Sequence, residues 1–162
     1  MMNEDEKYMR EALAEANLAF EAGEVPIGAV IVFEDKIIGR GHNLRNLKGN
    51  PLCHGEISAI NEAAQFMGDW RLEDCTIYVT IEPCPMCAGA IIQARIPRVV
   101  FGARNSKFGC GGSILNILNE PRFNHQCEVT EGVLEEEASE IMKKFFKRFR
   151  KNQTINEKTD EN

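Results

Sequence analysis

Apolar Met9, Leu13, Ala16 and Phe20 recur at steps of three and four between Asn3 and Ala22, with Glu and Lys filling the gaps. This is the period of an amphipathic helix, and Gly23 stops it. The run Ile27-Gly28-Ala29-Val30-Ile31-Val32-Phe33 reads as a buried strand, Glu34-Asp35-Lys36 as a turn, and residues 37–42 as the hairpin partner. Residues 43–52 form a polar loop. The helical period returns over residues 54–67 through Ile57, Ile60, Ala63 and Ala64, and residues 75–80 follow as a β-branched strand. Pro83-Cys84-Pro85-Met86-Cys87 opens another helix, at whose first turn a missing N–H costs nothing. A strand over 98–103, a flexible loop over 109–112, a short helix over 113–118, a strand over 127–130 and a helix from 134 to about 150 complete the pattern. Strands separated by helices imply an α/β fold whose mixed sheet is covered on both faces, in one domain spanning residues 1–150. Residues 151–162 are polar and are expected to form a disordered tail.

Composition narrows the class. With 43% apolar and 27% charged residues, the 162-residue chain is neither collagenous nor disordered. Six cysteines are too few for a disulfide scaffold, and the chain shows no secretory leader pattern, so free or metal-bound thiols in a reducing cytoplasm are expected. No apolar run approaches the ~20 residues of a membrane-spanning helix. The net charge of −6 argues against a protein that coats nucleic acid through its overall charge, but not against a local basic face. Lys143, Lys144, Lys147, Arg148, Arg150 and Lys151 make such a face, interleaved with Phe145, Phe146 and Phe149. Two readings of this cluster stand: contact with RNA, or cations at a helix C-terminus with phenylalanines packed on the core.

The residues able to do chemistry are His54-Gly55-Glu56 and Cys84-Pro85-Met86-Cys87, each at the predicted start of a helix. Free N–H groups and the positive dipole end there favour thiolate over thiol. One imidazole and two thiolates make a three-ligand zinc set whose fourth position is left to water, the arrangement of a catalytic zinc. Glu56, two residues beyond His54, can stand beside that water as an acid/base group. The two cysteines also fit half of a structural zinc site, a redox pair or two buried thiols. A structural site would need a fourth ligand, and Cys53, Cys75, Cys110, Cys127, His42 and His125 are scattered without a second paired motif.

His-Gly-Glu followed by Pro-Cys-Pro-Met-Cys resembles the zinc nucleobase deaminase signature, H-x-E with P-C-x-x-C. Glu24-Val25-Pro26-Ile27-Gly28-Ala29-Val30, Gly41-His42-Asn43, Phe101-Gly102-Ala103 and Gly112-Ser113 extend the likeness to the bacterial tRNA-specific adenosine deaminases, from about Tyr8 to Arg150. The resemblance implies a three-layer α/β/α, cytidine-deaminase-like fold with a mixed five-stranded sheet. It further implies a homodimer with one zinc ion per subunit, and conversion of adenosine to inosine at the wobble position of a tRNA anticodon stem-loop. Carried over by motif, His54, Cys84 and Cys87 are zinc ligands and Glu56 the proton shuttle. By the same likeness Glu24, Val25, Pro26, Ile27 and Asn43 form the pocket, and Asn105, Lys107, Phe146 and Arg148 contact RNA. Read by itself, Asn43 also fits a loop residue making a local backbone bond. Two positions depart from the family. Gly55 stands where Ala is usual, which is expected to loosen packing. Asn105 stands where Asp is usual, which is expected to weaken discrimination against DNA. Deamination of a free base or nucleoside, and a non-catalytic zinc-stabilised module, are the competing functions.

Overall fold

The computed structural model describes residues 3–160. Helix α1 (Glu4–Glu21) starts where the Asn3 side chain accepts the Glu6 N–H at 2.8 Å, with three acidic residues in its first turn facing the positive dipole end. Strands β1 (Gly28–Phe33) and β2 (Lys36–His42) form the expected hairpin. Its turn residues Glu34 and Asp35 both take positive φ (47° and 61°), the sense that matches strand twist. After these come α2 (Arg45–Lys48), α3 (Gly55–Met67), β3 (Thr76–Ile81), α4 (Pro85–Gln93), β4 (Arg98–Ala103), a 3₁₀ turn at Ile117–Asn119, β5 (Glu128–Thr130) and α5 (Glu135–Asp160).

The five strands are ordered β2-β1-β3-β4-β5. β1 runs antiparallel to both β2 and β3, while β3, β4 and β5 are parallel, so the sheet is mixed as expected. Helices α1 and α5 cover one face, and α3 and α4 the other. Alternation along the strands sends Ile31, Ile77, Val79, Val99 and Phe101 toward Ala59, Ala88 and Ile91, and sends Val30, Tyr78 and Val100 toward Met9 and Ala12. Full burial of each such aliphatic or aromatic side chain stabilises by about 1.5–3 kcal/mol. Asp5 in α1 accepts two 2.8 Å hydrogen bonds from Arg98 on β4, which hold its carboxyl below the usual range, and a third from the Tyr78 hydroxyl.

Three stretches differ from the sequence reading. The polar loop contains the single helical turn α2. Residues 113–118 are not a helix. Gly111 and Asn116 form a β-bridge there, and only the 3₁₀ turn follows, because Ser113 gives its N–H to Glu82. The last helix continues past Arg150 to Asp160, where a disordered tail over 151–162 is expected. Residues 151–160 hold neither Gly nor Pro, and extending a formed helix needs no new nucleus. The last two tail positions, Glu161 and Asn162, lie outside the described residues, as do Met1 and Met2. β2, β3, β4 and β5 all point their C-terminal ends to the same edge of the sheet, where α/β folds place their sites.

Candidate active site

Two helix N-termini meet at that edge. His54 is the N-cap of α3 and Cys84 the N-cap of α4, both with extended backbone, while Glu56 and Cys87 lie within the following first turns. Pro85 opens α4 directly after Cys84 and directs the chain into the helix without losing a bond. Helix α3 can sit this low against β2 because β2 carries glycines. A Cβ on Gly39 would lie 2.2 Å from the Ala59 carbonyl oxygen, and one on Gly41 would lie 2.5 Å from that of Gly55. Gly55 leaves no slack either, since a Cβ there would meet the Gly41 carbonyl oxygen and the His42 Cα at 2.9 Å each. The expectation of looser packing is corrected: the β2 backbone occupies the space a methyl would take.

The His54 Nδ1 lies 3.6 Å from the Cys84 Sγ and 3.5 Å from the Cys87 Sγ, and the three donor atoms all fall within 4.8 Å of one another. A tetrahedral ion with bonds of about 2.0 Å to nitrogen and 2.3 Å to sulfur requires an N···S edge of about 3.5 Å. Both N···S edges therefore match a tetrahedral zinc. Cys84 is drawn down to about 4 by a hydrogen bond from Cys87 and by His54. Donation to that charged sulfur, with burial, holds Cys87 above the ordinary thiol range, and donation to Cys84 raises His54. The lowered Cys84 favours the thiolate, the form in which a cysteine binds a metal ion. No other cluster of three metal-binding side chains occurs among the described residues, and no fourth side chain joins this one.

Glu56 is 3% exposed, and burial pushes its carboxyl up from the usual carboxylate range. It lines a cleft of about 790 Å³ together with His54 and Cys84. That volume lies within the range of small-molecule sites. Of the sequence-predicted contact residues, Val25, Ile27, Asn43, Asn105, Lys107 and Phe146 line the cleft, whereas Glu24, Pro26 and Arg148 do not. Glu24 is buried and accepts the N–H groups of Asn46 and Leu47, so it holds the first turn of α2. Pro26 is buried between two lining neighbours. Arg148 lies over the Phe20 ring, 5.7 Å from its centre, in a groove between α1 and α5. Asn43 does make the local bond: its Oδ1 accepts the Arg45 N–H at 3.1 Å while its side chain stays on the cleft wall. Asn105 likewise uses its Oδ1 within its own loop, accepting from Lys107 and Phe108 at 3.2 and 3.1 Å. All six cysteines are free, and Cys75 and Cys127 are core residues whose thiols burial pushes up to about 11.

The MafB19-like deaminase family matches residues 3–150, most of the chain and all of the residues above. The chain belongs to this family. The tRNA-specific adenosine deaminase of Bacillus subtilis (strain 168) is 53% identical over 150 residues, covering 93% of both chains. A structure from a study of A-to-I editing by tRNA:A34 deaminases at the wobble position of transfer RNA is 40% identical with a TM-score of 0.80. That match covers 83% of this chain and 98% of the other. A guanine deaminase of Bacillus subtilis is 36% identical with a TM-score of 0.61, over 67% of this chain and 72% of the other. This deaminase therefore has relatives acting on tRNA and on a free base. Sequence reasoning passed over Glu82, Phe108 and Met142, which also line the cleft. Glu82 had one legible signal, a carboxylate ending a β-branched strand directly before Pro83-Cys84.

Proposed function

We propose that this chain hydrolyses the 6-amino group of adenosine in the anticodon stem-loop of a tRNA, at the wobble position, giving inosine and ammonia. The observation that carries the reading is the three-ligand set at two joined helix N-termini, with buried Glu56 beside it on the floor of an open cleft. His54, Cys84 and Cys87 would hold a zinc ion, which when bound would supply a water made nucleophilic at neutral pH. Glu56 takes the proton of the attacking water, passes it to the purine ring nitrogen, and then helps protonate the departing amine. Burial raises its carboxyl from the usual carboxylate range, which suits a group that both takes and returns a proton. Asn43 offers donor and acceptor to the purine edge from a side chain already held by Arg45. Val25 and Ile27 supply an apolar wall, while Lys107 and Phe146 border the mouth. A homodimer with one zinc per subunit, working in the cytoplasm, belongs to the same reading.

The guanine deaminase likeness favours a second substrate, a free base. Against it, Lys107, Lys143 and Phe146 extend the lined surface outward with the cations and aromatic ring that a nucleotide strand needs. Ammonia release from zinc-loaded protein, given free bases, nucleosides, an anticodon stem-loop RNA and the matched DNA hairpin, separates these readings. The RNA hairpin is expected to turn over fastest. Measurable turnover of the DNA hairpin would follow from uncharged Asn105 at the mouth. Faster release from guanine or cytidine would replace tRNA by a free base, and release from none would leave a binding module.

A further inference from the structure

A second carboxylate is buried at the edge of the cleft, and hydrolysis gives it no role. Glu82, 2% exposed, is the first residue after β3, in the short link to the α4 N-terminus. Its Oε1 accepts the N–H of Asn105 at 3.1 Å and the hydroxyl of Ser113, and its Oε2 accepts the N–H groups of Gly111 and Ser113 at 2.9 and 3.0 Å. All four donors are uncharged and belong to the single segment 105–113. Two backbone bonds close the same junction: Glu82 donates to the Ala103 carbonyl, and Cys110 to that of Pro83, each at 2.8 Å. The wrap is tight, because a Cβ on Gly109 would lie 2.4 Å from the Glu82 Oε2. Asn105 in turn holds the N–H groups of Lys107 and Phe108 through its side chain. Glu82 thus secures one end of a chain of hydrogen bonds whose other end is the cleft wall formed by Asn105, Lys107 and Phe108.

We propose that Glu82 is a positioning residue that holds the substrate-facing wall at 105–108 in register with the metal-bearing start of α4. Substrate affinity, rather than the chemical step, therefore depends on it. The inference rests on the deaminase reading for its substrate. The carboxylate is needed because four donors converge on two oxygens. Glutamine has nearly the same shape but a single acceptor oxygen; with that oxygen kept for the Gly111 and Ser113 N–H groups, its NH₂ turns toward the Ser113 hydroxyl, which can reverse and accept, and toward the Asn105 N–H, which cannot. Buried donors left facing another donor lose their bonds and the loop opens.

The test uses zinc-loaded Glu82→Gln and the milder Ser113→Ala. Zinc per chain, amide hydrogen exchange over residues 105–113, and kcat and KM on the anticodon stem-loop RNA are measured for each. For Glu82→Gln, zinc is expected to stay at the wild-type level while the Asn105 amide exchanges about a hundredfold faster. KM is expected to rise about tenfold or more with kcat within about twofold. Ser113→Ala should shift exchange and KM the same way by a smaller factor. Unchanged exchange and KM in Glu82→Gln, loss of zinc, or a fall in kcat at constant KM would each overturn the assignment. If Glu82→Gln does not fold, Ser113→Ala decides it alone: faster exchange with raised KM supports the clamp, and wild-type values refute it. Failure of the wild-type protein to deaminate the stem-loop would sink the tRNA reading, while the exchange measurement would still decide whether Glu82 holds the loop.

Discussion

Glu56 and Glu82 are both carboxylates at 2–3% exposure, and what surrounds each sets its use. Four uncharged donors converge on Glu82, so its lone pairs are spent on the protein. Glu56 has no such cage and lines the cleft beside His54 and Cys84, the position of the proposed proton shuttle. Glu56→Ala is expected to keep the fold and one zinc per chain while losing about 10²–10⁴ in kcat, the usual contribution of a general acid/base group. Metal analysis alongside turnover checks this, and zinc loss in step with activity would make Glu56 a ligand instead. His54, Glu56, Cys84 and Cys87 were legible as a motif because both halves lie at helix starts. The roles of Glu24 and Arg148 were not. A carboxylate capping the next turn and a guanidinium on a ring look, in sequence, like any polar residues beside a pocket.

At the scale of the element, the position of α3 decides whether His54 reaches the sulfurs. The glycines of β2 let the backbones of strand and helix touch. In Gly41→Ala the new methyl would lie 2.5 Å from the Gly55 carbonyl oxygen and 2.6 Å from the Ser58 Cβ, so the α3 N-terminus must lift. Overpacking of this kind typically costs about 1–3 kcal/mol. The lift also carries His54 from the sulfurs, so Gly41→Ala is expected to lower both the denaturation midpoint and zinc affinity, read by denaturant titration and competition with a chelator. Periodicity located α3 and α4 to within a residue or two, but a glycine in a strand reads the same whether it marks a bulge or a close crossing. The helix expected over 113–118 failed for a related reason. Its residues make their bonds to Glu82 and to one loop, partners some thirty residues away or outside the helical spacing.

Across the whole molecule the charge is uneven. The chain carries −6 overall, yet residues 143–151 of α5 hold six cations and no acid. No ion pair of another residue with these cations occurs among the described residues. Lys143 reaches the cleft, and Lys147 and Arg150 follow it on the same face of the helix, while Arg148 turns aside to Phe20. Replacing Lys143, Lys147 and Arg150 with Ala is expected to weaken stem-loop RNA binding and to flatten the slope of log affinity against log salt by about 0.7 for each phosphate that is no longer neutralised. Arg148→Ala should leave that slope in place. Binding measured across a salt series separates the two, and equal slopes for all proteins would return α5 to a purely structural role.

The order of the five strands and of the four long helices, the motif of one imidazole, two sulfurs and a carboxylate, and the basic stretch of α5 were all written along the chain. Each depends on local spacing: 3.6-residue and two-residue periods, or two ligands three positions apart. Folding determined what meets across distance. It brought residues 54 and 84 together at one sheet edge, seated α3 on bare β2 backbone, divided the pocket residues from Glu24, Pro26 and Arg148, and wrapped 105–113 around Glu82. Those outcomes follow from close packing and from the need of each buried donor and acceptor for a partner, and neither is a property of any short segment alone.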